Sequence, residues 1–253
     1  IAVGDNPIDY ARIAVYVDGK RVVDEMIDCA EKEVTVIDRT ESAQSVVEII
    51  KLSESPMSAV GVEAFAEGSA EALPEKPLKI EFIGDSITCG YGVDDEDENH
   101  QFTTATEDVT KAYAYKTAKA LDAEYSMFSA SGYGIVSGYT EGDEPISEQT
   151  IPQFYCSYGF SRGDFAGTAP QDIPWDFSKY IPQIIVINLG TNDDSYCRDH
   201  KDRQAVFSKL YADFLAVVRE KNPQAYILCT VGIMGERIFP AVEEGIKIYL
   251  ESH

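Results

Sequence analysis

Serine attacks an ester carbonyl only where the fold presents its hydroxyl and gathers N–H donors around the developing oxyanion. Three short segments carry residue types suited to that chemistry. Residues 80–92 read I-E-F-I-G-D-S-I-T-C-G-Y-G, and Asp85-Ser86 follows directly on an apolar run. A strand ending at Gly84 and turning into a helix there would lift the Ser86 hydroxyl above the carboxyl edge of a sheet, where α/β folds bind ligands. Residues 129–134 read S-A-S-G-Y-G, and glycines in that position let backbone approach a ligand. Residues 188–193 read N-L-G-T-N-D, with the Asn192 carboxamide as a further donor. Singly, each has an ordinary explanation: a helix N-cap at Ser86, a glycine-rich turn, a polar turn. Three such segments after three successive strands point together to one nucleophilic site.

The elements that must position them follow from the pattern. Residues 13–17 (I-A-V-Y-V), Asp18-Gly19 and Lys20 to Val23 predict a β-hairpin, because Asp-Gly takes positive φ readily. Val34 to Ile37, Ser45 to Leu52 and Ala59 to Phe65 are further strand candidates. Strands with little helix between them imply a small antiparallel sandwich or jelly-roll-like domain over residues 1–75, and Gly68 to Pro77 reads as a linker. Beyond it, strands are expected at 78–84, 125–129, Ile184 to Leu189 and Tyr226 to Val231. Helices are expected at Val109 to Leu121, Arg203 to Lys221 and from Pro240 to about Leu250. Apolar, non-alternating strands between helices predict an α/β domain over 76–253, with a parallel sheet covered on both faces.

Composition narrows the function. The 253 residues carry 44 acids and 21 bases, a formal charge of −23. That excludes nucleic acid and an anionic membrane surface as expected partners. No apolar run reaches the length of a bilayer span. Five scattered cysteines without a C-x-x-C, and three histidines, argue against a zinc site. Cys156 and Cys197 are a candidate disulfide pair. The acidic run Asp94 to Glu98 lacks the glycine of a calcium loop and reads as solvated. Trp175 could stack on a sugar ring or simply pack. The tyrosines of 133–139 and 154–160 could line a glycan cleft or sit under a loop.

These residues carry a resemblance. G-D-S, a glycine after the second strand of the α/β part and G-T-N-D after the third resemble the SGNH (GDSL-type) hydrolases. Lys79 to Gly92, Ser129 to Ile135, Pro174 to Pro182 and Ile187 to Tyr196 are similar to carbohydrate esterase family two, and Val46 to Ser55 resembles a strand of that family's leading jelly roll. The resemblance implies an SGNH-type parallel sheet with flanking helices behind that small β domain. It implies that Ser86 is the acylated nucleophile, with the N–H groups of Ser86 and Gly132 and the Asn192 side chain as the oxyanion hole. Asp85 and Asp193 are expected to brace loops. Tyr91, Tyr133, Trp175 and Asp193 are the candidates for lining the substrate, an acetylated cell-wall poly- or oligosaccharide of xylan or mannan type. No metal or organic cofactor is implied, and secretion is, although the chain opens on Ile1 without a leader.

The family's base is a late histidine in an Asp-x-x-His block followed by Pro. Leu250 stands three before His253 and nothing follows it. We therefore expect His253 to be a chain-end residue, His200 to be solvated and His100 to lie in an acidic loop. We also expect the chain to be an incomplete version of a longer one, short at both ends. The alternatives are a glycan-binding protein with an inactive esterase site, and a GDSL-type lipase or thioesterase.

Overall fold

The computed structural model describes residues 10–41, 43–63, 70–164 and 167–252. Three strands, β1 (Ala11–Val17), β2 (Lys20–Ile27) and β3 (Val47–Lys51), form an antiparallel sheet in the order β2-β1-β3. The β1–β2 turn is the predicted Asp18-Gly19, with φ of +51° and +80°, as a tight hairpin with native strand twist demands. Asp18 also reaches sideways, accepting from the Val46 N–H at 2.9 Å, which fixes the start of β3.

Four strands make the second sheet: β4 (Lys79–Gly84), β5 (Glu124–Ser129), β6 (Ile184–Asn188) and β7 (Tyr226–Thr230). All pair in parallel, in the order β5-β4-β6-β7. The helices are α1 (Ser86–Cys89), α2 (Tyr113–Ala120), α3 (Thr191–Cys197), α4 (Lys201–Lys221) and α5 (Phe239–Ser252). Ile83, Ile185 and Ile187 pack with Phe207, Leu215 and Val242 under α4 and α5. Ile80, Phe82 and Val186 pack with Ala114 and Ala118 of α2 on the other side. Cover on both faces is why β4 and β6 carry little polar–apolar alternation; β7, expected to be covered likewise, leaves Tyr226 and Leu228 exposed on one face.

The two sheets share core. Ala14, Ile50 and Leu52 from the antiparallel part cluster with Tyr115 of α2, and Tyr125 and Met127 of β5 pack against them. The Val109 N–H donates to the Leu52 carbonyl at 3.1 Å.

Four expectations are corrected. Val34 to Ile37 forms no strand; Val34 and Val36 instead pack on the small sheet's core without pairing, so apolar alternation there reports contact rather than a ladder. Residues 60–63 are not strand either, and Ala64 and Phe65 lie outside the described residues. The helix expected from Val109 begins as a 3-10 turn, Val109–Lys111, and becomes α-helical only at Tyr113. All five cysteines are free thiols: Cys156 is exposed while Cys197, the last residue of α3, is buried in the core, so the suggested pair does not form.

Candidate active site

Register brings the three sequence segments together. Gly84, the last residue of β4, pairs with Ser129 at the end of β5 and with Asn188 at the end of β6. Ser86, Gly132 and Asn192 therefore leave the same sheet edge from three adjacent strands.

Ser86 opens α1, and Asp85 is its N-cap, accepting from the Ile87 N–H at 3.0 Å. The Asp85 carbonyl takes the Thr88 and Cys89 N–H groups, each at 3.0 Å. Among the described residues no acceptor is found for the Ser86 N–H, one of the groups a helix start leaves unpaired. Gly84 cannot carry a side chain: a Cβ there would stand 2.0 Å from Thr88 Oγ1. Gly90, at φ +78°, ends the helix.

The Gly132 loop is held from below. Its φ is +80°, and a Cβ would meet nothing within 4 Å, so the residue borders open space. Ser131 N–H donates to Glu54 Oε2 at 2.5 Å and Tyr133 N–H to the Ala130 carbonyl at 3.2 Å, while the Gly132 N–H between them has no acceptor among the described residues. Asp193, fully buried, accepts the N–H groups of Ile135, Val136 and Ser137 at 2.6–3.1 Å. Burial outweighs these donors and pushes its pKa up to about 6. Asp85 is likewise raised by burial, to about 7, against the opposing Ile87 N–H.

Asn192 ties the segments to each other. Its Nδ2 donates to the Tyr133 carbonyl at 2.7 Å and to Asp85 Oδ2 at 3.4 Å, so one carboxamide joins the neighbour of Gly132 to the neighbour of Ser86.

A family model described as "GDSL-like Lipase/Acylhydrolase family" matches residues 82–248. The chain belongs to that family. Among its relatives is the cellulase/esterase CelE of Acetivibrio thermocellus, 37 % identical over 187 residues, which are 73 % of this chain and 21 % of CelE. An acetylxylan esterase / glucomannan deacetylase of Cellvibrio japonicus is 31 % identical over 226 residues, 87 % of this chain and 58 % of that protein. The chain thus spans less than two thirds of either curated relative. A solved family two carbohydrate esterase from Clostridium thermocellum, in complex with cellohexaose, superposes with a TM-score of 0.78 at 27 % identity, covering 96 % of this chain and 72 % of that one.

Other candidates of this GDSL-like domain lie in different settings. Tyr91, 46 % exposed, stacks on Phe102 with centroids 3.8 Å apart. Trp175 meets the exposed Tyr158 edge-on at 5.3 Å. The Tyr133 ring is buried against Phe154 and Phe160, so its backbone carbonyl, not its ring, meets the other site segments. His100 is exposed and paired with Asp95 at 2.8 Å, and exposed His200 caps α4 through its backbone. Neither hydrogen-bonds Ser86, and His253 lies outside the described residues. The acidic run is partly neutralised, as Asp94 pairs with Arg12 at 2.8 Å and with Lys111.

Lys51, Glu54 and Glu107, which the motifs do not mark, lie behind the Ser86 and Gly132 segments. Their signal was faint: a lysine and a glutamate three apart at the end of an amphipathic strand, and a glutamate in a loop rich in acids.

Proposed function

We propose that this chain is the acyl-transfer part of a carbohydrate O-acetyl esterase, a carboxylic ester hydrolase acting on acetylated plant cell-wall polysaccharides of xylan or mannan type. The observation that carries the reading is the joining of Ser86, Gly132 and Asn192 at one sheet edge through the Asn192 carboxamide. Ser86 Oγ attacks the acetyl carbonyl, the sugar alcohol leaves, and water releases acetate from the acyl-serine. The Ser86 N–H, the Gly132 N–H and Asn192 Nδ2 stabilise the oxyanion, each worth about 3–4 kcal/mol at the transition state. Asp85 and Asp193 brace the two loops. Relatives named as acetylxylan esterases and a structural neighbour holding cellohexaose support a carbohydrate substrate. The exposed rings of Tyr91 and Tyr158 and the half-buried Trp175 suit sugar rings as lining. The proposed substrate, a plant cell-wall polysaccharide, lies outside the cell and so supports secretion. No helix among the described residues is long and apolar enough to cross a membrane.

His100 pairs with Asp95 and neither described histidine hydrogen-bonds Ser86, which favours a second reading, a glycan-binding site without turnover. Acetate release from acetylated xylan, beside 4-nitrophenyl acetate hydrolysis, separates the two. Turnover that Ser86→Ala abolishes while sugar binding persists establishes the esterase and a proton acceptor within these residues. Binding with no turnover above that of Ser86→Ala overturns it in favour of the binding site.

A further inference from the structure

We propose that Glu54, which follows the last strand of the small antiparallel sheet, is a positioning residue for the oxyanion loop, making that sheet part of the active-site framework rather than an appendage. The inference rests on Ser86 and Gly132 serving as proposed above. Glu54 sits just beyond β3, yet its Oε2 accepts from the Ser131 N–H at 2.5 Å and lies 3.7 Å from Cys89 Sγ at the last residue of α1. One carboxyl group therefore contacts the residue before Gly132 and the helix that begins at Ser86. By taking the Ser131 N–H it fixes the peptide from which the chain turns, at φ +80°, to present the Gly132 N–H.

Glu54 is itself held on several sides. Its own N–H donates to Glu107 Oε2 at 2.9 Å, and Lys51 Nζ donates to the carbonyls of Ser53 and Glu54 at 2.5 and 2.8 Å. Both glutamates are buried, and Glu54 Oε1 and Glu107 Oε1 have no hydrogen-bond partner among the described residues. Burial raises both carboxyls and lowers Lys51 to about 8, so the cluster holds one ammonium against carboxyls that resist ionising together. Oxygen and sulfur atoms of Glu54, Cys89 and Glu107 lie within 4.8 Å of one another, the spacing of a metal site. Lys51 already supplies cationic charge there, and burial drives the Cys89 thiol well above its ordinary value, away from the thiolate a metal needs. The cluster is thus built as a brace. A buried carboxyl accepting a backbone N–H at a functional loop is costly to keep unless that loop must be held in one place.

Two variants test this. Glu54→Gln keeps an acceptor for the Ser131 N–H. Lys51→Met/Glu54→Met removes the acceptor and its counter-charge together and fills the space with apolar side chains, which protects folding. Deuterium exchange read at residues 129–134, with β7 as internal control, reports the brace without reference to activity. The expected result is exchange at least tenfold faster in that loop alone for the double variant, with Glu54→Gln close to the wild type. Unchanged exchange overturns the proposal. On 4-nitrophenyl acetate, kcat should fall at least tenfold in the double variant with KM within about twofold, and Glu54→Gln should recover most of it. Faster exchange with kcat unaltered in a chain whose turnover depends on Ser86 overturns the link to the oxyanion. Faster exchange in a chain with no Ser86-dependent turnover upholds the brace and instead sinks the esterase reading on which its purpose rests.

Discussion

Both hydrogens of the Asn192 carboxamide are engaged, but unequally, at 2.7 Å to the Tyr133 carbonyl and 3.4 Å to Asp85 Oδ2. The shorter bond orients the side chain. The longer one, at the limit of a hydrogen bond, is the one an oxyanion would capture. Asn192→Ala should therefore lower kcat on an acetyl ester by about 10²- to 10³-fold with little change in KM, the pattern of a donor used mainly in the transition state. Steady-state kinetics of the folded variant checks this, and an equal loss shared with KM would make Asn192 only a loop tie. Gly134 belongs to the same machinery, since a Cβ there would lie 2.5 Å from Asp193 Oδ2 and 2.2 Å from the Ser137 carbonyl. The loop can wrap the Asp193 carboxylate only because that position has no side chain.

The elements set where these residues stand, and β4 carries the least expected one. Glu81 faces the α4 side of the sheet, buried among apolar groups, and accepts from the Tyr155 hydroxyl at 2.9 Å; Asn222 Nδ2 donates to that hydroxyl at 2.9 Å. Burial raises Glu81 from 4.5 to about 7 despite the tyrosine. The folded chain then binds more protons than the unfolded one between those values, so stability is full below about pH 4.5 and is lost as pH rises through about 7. The loss from Glu81 is on the order of 3 kcal/mol. Asp85 and Asp193 shift in the same direction, so the component is isolated by comparison with Glu81→Gln. Urea melts from pH 4.5 to 8 should show the wild type falling relative to the variant, and parallel curves would refute the assignment. Glu81 shows why some of the architecture was unreadable in sequence: K-I-E-F-I-G reads as a strand with one polar interruption, and nothing local says that Tyr155 and Asn222 will meet it. The sheet, the hairpin turn and the Ser86, Gly132 and Asn192 segments were legible because each rests on local chemistry, namely β-branched runs, Asp-Gly and glycines at strand ends. The Glu54 brace and the unpaired Val34 to Ile37 segment were not, because both are decided by residues more than fifty positions away or by which neighbour fills a ladder.

Across the whole molecule, two arginines of the small sheet grip the start of the acidic run and the loop that follows it. Arg12 Nη1 donates to Asp94 Oδ2 and to the carbonyls of Ala105 and Glu107, at 2.8, 2.9 and 3.3 Å. Arg21 meets both oxygens of Asp108, at 3.0 and 3.2 Å, and Thr110 Oγ1 at 2.8 Å. Asp108 is wholly enclosed, whereas its arginine is about a quarter exposed. Removing one partner of a buried ion pair leaves the other without its counter-charge, which is strongly destabilising. The same loop carries Glu107, so these clamps and the Glu54 brace bind one interface. With the Ala14, Leu52 and Tyr115 cluster continuous across it, the two sheets should unfold together. Calorimetry should give one transition for the wild type. Arg21→Met should remove about 3 kcal/mol from it without splitting it, by analogy with other broken buried pairs. A wild-type melt resolved into two transitions, or an Arg21→Met melt indistinguishable from the wild type, would mean that the small sheet rests against the esterase-like sheet without stabilising it.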